Sequence, residues 1–324
     1  MNWTTQTLLA TDFWLISTFL FSLLVGSFLN VVILRSPTIM LREYTRNALE
    51  FLKDNPLKAS GFKLSVDAEH ESMRELHRPY SIIAPRSHCP KCNRMIRAIE
   101  NIPIISYIAL RGRCKGCSVS IPLRYPLIEF ITAVLTTFIV WKVSFCSDAI
   151  TNNPFEIRLG MAALAALFTW ALIALTVIDL DTQYLPDSIT LPLIWLGLIS
   201  NLTPYGFAPS IEAAVLGAAI GYLSLWSIYQ LFKALTGKEG MGFGDFKLLA
   251  VLGAWLGWNA LPSIILLSSL LGTIVGVGLM IAKKHGREVP IAFGPYLAVA
   301  GMIALLWGNH ILRAIYGPAL PAGL

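Results

Sequence analysis

The 324-residue sequence predicts an all-α, polytopic transmembrane protein of about eight spans that carries one cytoplasmic, cysteine-bearing insert. Three observations support this. Hydrophobic residues make up 55% of the chain and charged residues only 14%, which is too few to cover a soluble protein of this length. Long apolar runs recur along the chain, and most of the basic residues are gathered in a single polar stretch. A soluble globular enzyme and an intrinsically disordered chain are therefore both excluded.

Eight apolar runs approach the roughly 20 residues that a helix needs to cross a hydrocarbon core. Two of them are short, so we expect these helices to be tilted, kinked at Pro192, or incompletely spanning beside a polar cavity. The runs divide the chain into a first transmembrane helix (1–34), an insert (35–126) and a multi-span domain (127–324). The eight runs are 12–34, 127–147, 159–178, 188–203, 211–234, 246–260, 263–282 and 291–312, of which 188–203 and 246–260 are the short ones.

The distribution of basic residues predicts the orientation of the helices. Between Arg35 and Arg124 lie 16 of the 25 lysines and arginines. If the N-terminus is outside, only Lys142, Arg158 and Arg313 remain on the far side, as the positive-inside rule requires. Both termini are then periplasmic. The net charge of +6 comes largely from the insert, whose basic residues we expect to hold it at the anionic surface of the lipid bilayer. We predict no nucleic-acid partner.

The insert contains two CxxC knuckles, Cys89 with Cys92 and Cys114 with Cys117, separated by 21 residues. Four thiolates at this spacing are typical of a closed tetrahedral zinc site, which folds a small module and leaves no open position for catalysis. We therefore predict one structural Zn²⁺ per chain. A redox pair of dithiols is the alternative, although disulfides are disfavoured in a reducing compartment.

Two carboxylate-bearing segments border apolar runs, and the predicted topology places both on the cytoplasmic face. The first is IDLDTQYLPD (178–187), and the second is GMGFGDFK (240–247), which contains Asp245. Two aspartates close together can share a proton and hydrolyse a peptide bond. Helix capping and interaction with a helix dipole explain the same residues without chemistry, and the pattern alone leaves both explanations open.

Four further residues could support such a site. Gly242 and Gly244 would let an extended substrate backbone approach Asp245. Glu129 lies just inside a span, so it needs either Arg124 or a polar site near the aspartates. Lys247 could lower the pKa of Asp245, or it could serve as an anchor to the lipid surface. In the first span, we expect Asn30 to form an interhelical hydrogen bond.

The sequence resembles the bacterial type IV prepilin peptidases over nearly its whole length. The segments that carry the resemblance are GSFLNVVILR (26–35), CPKC (89–92), ENIPIISYIALRGRCKGC (100–117), PLRYPLIE (122–129), IDLDTQYLPD (178–187), GKEGMGFGDFKLL (237–249) and FGPYLA (293–298). The GFGD of residues 242–245 matches the GxGD signature of such aspartyl proteases. The resemblance implies that Asp179 and Asp245 are the catalytic pair, with Asp181 as the alternative to Asp179.

The resemblance also implies a substrate and a second reaction. Members of the family remove the basic leader of type IV prepilins and type II secretion pseudopilins at the cytoplasmic face of the bacterial inner membrane. Cleavage follows a glycine and usually precedes a phenylalanine, whose new amino group is then methylated by S-adenosylmethionine. Members that methylate carry the cysteine-bearing loop. No glycine-rich turn identifies the S-adenosylmethionine site.

Two functions of other classes compete with this one. A proton-coupled secondary transporter would also place carboxylates within its spans, but it predicts inverted repeats, and the sequence shows none. A membrane-anchored zinc scaffold would explain the insert and would leave the GxGD turn without a role.

Overall fold

The computed structural model describes residues 3–54, 79–146, 153–238, 240–282 and 292–316. These residues form nine α-helices and no β-strand, which confirms the all-α prediction. The helices are α1 (Trp3–Asp54), α2 (Ile105–Ala109), α3 (Arg124–Trp141), α4 (Phe155–Thr182), α5 (Asp187–Ser200), α6 (Ile211–Thr236), α7 (Phe243–Leu256), α8 (Leu261–Ile281) and α9 (Gly294–Tyr316).

Every helix except α2 coincides with one of the eight predicted apolar runs. Within the described residues, however, only five helices are both long and apolar enough to cross a membrane, namely α1, α3, α4, α6 and α8. The 14-residue helices α5 and α7 measure about 21 Å each, which is less than a hydrocarbon core. The predicted count of eight spans is therefore not confirmed. Helix α1 also continues 20 residues beyond the predicted end of the first span, to Asp54.

The chain forms two compact units. One comprises Ser27–Ile128 and includes the cysteine-bearing insert, and the other comprises Met1–Gly26 together with Glu129–Leu324. In the first unit, Asn30 Nδ2 donates to the carbonyl oxygen of Tyr125 at 3.1 Å, which confirms the predicted interhelical hydrogen bond. The Arg35 guanidinium donates to the carbonyl oxygens of Ser81, Ile82 and Pro85 and so attaches residues 81–85 to α1.

Helix α7 lies at the centre of the second unit. Every residue from Leu248 to Leu256 is buried, which explains why this short helix is apolar on all sides. Glycines allow the backbones of α6 and α7 to touch, because a Cβ on Gly217 or Gly253 would overlap the facing backbone. On another side of α7, Trp255 stacks on Phe168 at a centroid distance of 4.4 Å. This packing holds the N-terminus of α7, and therefore Asp245, in one place.

The connection between α4 and α5 places the other aspartate. Gln183 adopts a left-handed conformation with φ of 56°, and its N–H donates to the carbonyl oxygen of Asp179 at 2.9 Å. This cap ends α4 one turn after Asp179. Leu185 and Pro186 then pack inward, and α5 begins at Asp187.

Candidate active site

The structure brings Asp179 of α4 and Asp245 of α7 together, although α5 and α6 separate these helices in the chain. Asp179 lies in the last turn of α4 and is 4% exposed, whereas Asp245 lies in the first turn of α7 and is 8% exposed. The two carboxylates are close enough to interact electrostatically. Asp181 follows Asp179 by two residues and is exposed, because residues i and i+2 lie on different faces of a helix.

The Asp179 carboxylate contacts the N-terminus of α9. The Gly294 N–H donates to Asp179 Oδ2 at 3.0 Å. Helix N-termini stabilise negative charge, because their first amides have no partner within the helix. A Cβ on Gly294 would lie 2.6 Å from Asp179 Oδ2, so any side chain at this position would displace the carboxylate. Gly294 therefore fixes the position of Asp179.

The two glycines of the GxGD turn have different roles. Among the described residues, a Cβ on Gly242 would find only Asp245 Oδ2, at 4.0 Å, which leaves space beside this carboxylate for an approaching backbone. At Gly244 the Cβ would lie 2.9 Å from the Cβ of Leu185. Gly244 thus lets the turn after α4 pack against the start of α7, and only Gly242 is placed to border a substrate.

Lys247 binds an aspartate, but not Asp245. Its ammonium lies 2.6 Å and 2.8 Å from the two carboxylate oxygens of Asp187. This ion pair joins the first turns of α5 and α7 and is partly exposed. The structure therefore places Lys247 as a link between the two segments that carry Asp179 and Asp245.

The Lys247–Asp187 ion pair should contribute little to stability. Because the pair is partly exposed, a double-mutant cycle of Lys247→Met and Asp187→Asn should give a coupling of about 0.5 kcal/mol by thermal unfolding. Peptide cleavage by Lys247→Met should stay within about tenfold of the unaltered protein, since the main contacts of α7 remain. A loss as large as that caused by changing Asp245 itself would instead mean that Lys247 acts in the reaction.

Glu129 is buried at the start of α3, where this helix meets α1. A Cβ on Gly26 would lie 2.7 Å from the Glu129 Cα, so the two helices approach closely at this residue. The side chain is 8% exposed. A supporting role for Glu129 at the aspartates stays a prediction.

The four cysteines of the insert form one cluster. Their sulfur atoms all lie within 4.8 Å of one another, and none is in a disulfide. Cys89 Sγ and Cys117 Sγ are 3.7 Å apart. Four sulfurs at a metal–sulfur distance of about 2.3 Å would be separated by about 3.8 Å, so the cluster has the size of a tetrahedral metal site.

An ion pair braces the two knuckles. Arg94, just after the first knuckle, lies 2.8 Å from Glu100 Oε1, and Lys115, within the second, lies 3.8 Å from the same oxygen. The hydrogen bond from Arg94 lowers the pKa of Glu100, so this carboxylate is ionised at neutral pH. Gly116 lies against Arg94 and Cys92, where a Cβ would come within 3.0 Å of the arginine Cδ. The charges around the cysteines thus have a structural role.

Sequence reasoning missed Gly294 as a site residue. The available signal was the Gly-Pro pair of FGPYLA (293–298) at the start of an apolar run, because proline favours the first turn of a helix. Such a pair predicts a helix start, but it does not indicate which side chain that helix end will meet. The contact with Asp179 joins residues 115 positions apart.

Comparison with known proteins is consistent with this arrangement. Residues 20–143 match the model of the bacterial peptidase A24 N-terminal domain, and residues 166–277 match that of the type IV leader peptidase family. A protein of Aeromonas hydrophila named prepilin leader peptidase/N-methyltransferase is 51% identical over 296 residues, covering 91% of each chain. The chain belongs to the type IV leader peptidase family. This confirms the predicted family and class of enzyme.

Other members of the family extend this similarity. Proteins with the same name from Neisseria gonorrhoeae and Pseudomonas aeruginosa are 48% and 46% identical, covering 90% and 91% of each chain. The range that matches the N-terminal domain model contains the positions of the four cysteines, and the range that matches the leader peptidase model contains those of both aspartates. No solved structure matches the chain at a significant level.

Proposed function

We propose that this protein removes the leader peptide of type IV prepilins by aspartyl protease chemistry and then methylates the new N-terminal residue. The observation that carries the proposal is the buried pair of Asp179 and Asp245 at adjoining helix ends. Type II secretion pseudopilins are proposed as further substrates. The family and the names of its members support both reactions.

The environments of the two aspartates suggest different roles. Two buried carboxylates that repel each other cannot both be charged without a large cost, so the pair shares one proton. Asp179 accepts the Gly294 N–H at a helix N-terminus, and among the described residues Asp245 has no such donor. We therefore assign the negative charge to Asp179, which takes a proton from water. Protonated Asp245 donates a hydrogen bond to the scissile carbonyl oxygen as the water attacks its carbon.

The substrate reaches this site beside Gly242, where the backbone leaves space next to Asp245. We propose that the aspartates face the cytoplasm of a bacterial cell and that the protein resides in the inner membrane. The excess of basic residues in the insert supports this orientation. The multi-pass character itself follows from the long apolar helices.

The methyl donor is proposed to be S-adenosylmethionine, from which the free α-amino group of the cleaved product would take a methyl group. The described residues contain no β-strand and therefore no glycine-rich turn between a strand and a helix. We assign no residue to the donor. Methylation thus rests on membership of the family.

We propose that the four clustered cysteines bind one structural Zn²⁺. The donor set and the sulfur spacing fit a closed Cys₄ site, in which zinc would stabilise the fold of the insert. We expect one zinc per chain by elemental analysis of the purified protein, and Cys114→Ser should lower this content by at least about half. Cys146→Ser is the matched control, because Cys146 is a free cysteine outside the cluster. Equal loss from both variants would contradict the assignment.

Mass spectrometry tests the proposed activities directly. Purified enzyme in lipid nanodiscs would be incubated with a prepilin, with and without S-adenosylmethionine. We expect the mass of the leader to be lost in both reactions and one methyl group to be gained only with the donor. A prepilin of unchanged mass would reject the proposal and favour a transporter or a scaffold. Loss of the leader without methylation would reject the second activity only.

A further inference from the structure

Helix α8 and the start of α9 border an open groove of about 310 Å³. Small residues of α8 form one wall, and two aromatic residues at the start of α9 form the other. The lining residues are Ser269, Gly272, Thr273, Phe293 and Tyr296.

Two residues that line the groove are neighbours in the chain of the residue that contacts Asp179. Phe293 and Tyr296 stand on either side of Gly294, the residue whose N–H binds Asp179. The two rings pack against each other with centroids 6.4 Å apart. A ligand in the groove would therefore lie next to the backbone that positions the catalytic carboxylate.

The chemistry of the lining favours an apolar ligand. None of the described lining residues is charged, and the Thr273 hydroxyl donates to the Ser269 carbonyl oxygen within α8. Helix α8 is also the least buried of the five long apolar helices in the described chain, with 17% of its most apolar segment buried. Leu270 and Ile274 on its surface are more than half exposed. The groove thus opens on a face that lipid would contact.

Gly272 gives the groove its depth. A Cβ at this position would lie 3.3 Å from Cδ2 of Tyr296, so a larger side chain would fill the space between the two walls. Small residues of this kind allow another helix to approach closely in a membrane.

We propose that this groove binds the membrane-embedded apolar helix of the substrate, on the C-terminal side of the scissile bond. The inference rests on the proposed peptidase function, and it takes the part of the prepilin that follows the scissile bond to be an apolar helix in the bilayer. A substrate helix is favoured over a lipid chain because two lining residues, Phe293 and Tyr296, flank Gly294 in the chain, and the Gly294 N–H binds Asp179. The bound substrate helix would set which peptide bond lies at the aspartates, because it would contact the start of α9, which also positions Asp179.

A kinetic comparison of two substrates tests the groove. One is a full-length prepilin, and the other is a soluble peptide that spans the scissile bond but lacks the apolar helix. We expect Gly272→Leu to raise KM for the prepilin by about tenfold or more and to leave KM for the peptide within about twofold. Gly278→Leu is the matched control, since Gly278 lies on the same helix and a Cβ there meets no described atom within 4 Å.

The outcomes separate the two proposals. If the unaltered enzyme cleaves neither substrate, the peptidase proposal fails. If it cleaves them and Gly272→Leu behaves like Gly278→Leu, the groove proposal fails. A second measurement is needed in case Gly272→Leu folds poorly. A benzophenone amino acid placed at position 273, in place of Thr273, should cross-link to the prepilin in proteoliposomes. Cross-links to lipid alone, with prepilin present, would overturn the inference.

Discussion

Replacing Asp245 by Asn should lower prepilin cleavage by at least about 10³-fold, and replacing Asp179 by Asn should do the same. An amide can neither accept the proton of water as a carboxylate does nor share a proton with its partner. The variants are nearly isosteric, so α4 and α7 should keep their packing. Cleavage of a prepilin in membranes, measured as single-turnover rates, gives the size of each effect.

Asp181→Asn is the matched control for these variants, because Asp181 lies on the same helix as Asp179 but is exposed. It should cleave at a rate within about threefold of the unaltered enzyme. Full activity of either Asp179→Asn or Asp245→Asn would overturn the catalytic assignment. If Asp181→Asn were inactive and Asp179→Asn active, the alternative aspartate would be the catalytic one.

Replacing Gly294 by Ala should lower cleavage by about 10²-fold, since a displacement of about 1 Å is enough to cost this much in an oriented reaction. The added Cβ would occupy the space of the Asp179 carboxylate, 2.6 Å from Oδ2. The loss should appear mainly in kcat, because the substrate surface beside Gly242 is unchanged.

Gly308→Ala provides the control for Gly294→Ala. Gly308 lies on the same helix, and a Cβ there meets no atom of the described part of the chain within 4 Å. This variant should retain full activity, and both variants should unfold near the temperature of the unaltered protein. Full cleavage by Gly294→Ala would show that the contact with α9 does not position Asp179.

The two aspartates of the site were predicted from the sequence only with the help of the family resemblance. The resemblance implied Asp179 and Asp245, and the structure brings these two together. Local pattern alone could not choose between Asp179 and Asp181, because both end the same helix. The choice depends on which face of α4 meets α7 and α9, and packing between distant segments decides that.

Supporting residues were harder to predict. Lys247 lies two positions after Asp245, and sequence proximity suggested an effect on that carboxylate. The lysine instead reaches Asp187, 60 positions away, since the starts of α5 and α7 meet. Gly244 appeared to be a residue for substrate approach, yet it faces Leu185. In each case, the partner comes from a segment that local spacing does not include.

The sequence by itself determined the helical class, the membrane character, the family and the four cysteines that could bind one metal. These follow from composition, from the length of the apolar runs and from short motifs, which are local properties of the chain. Only the tertiary structure showed that Gly294 holds Asp179, that Lys247 binds Asp187 and that α8 and the start of α9 border a groove. Each of these features requires helices distant in sequence to pack at a particular height and rotation, and that geometry arises from the whole core around α7.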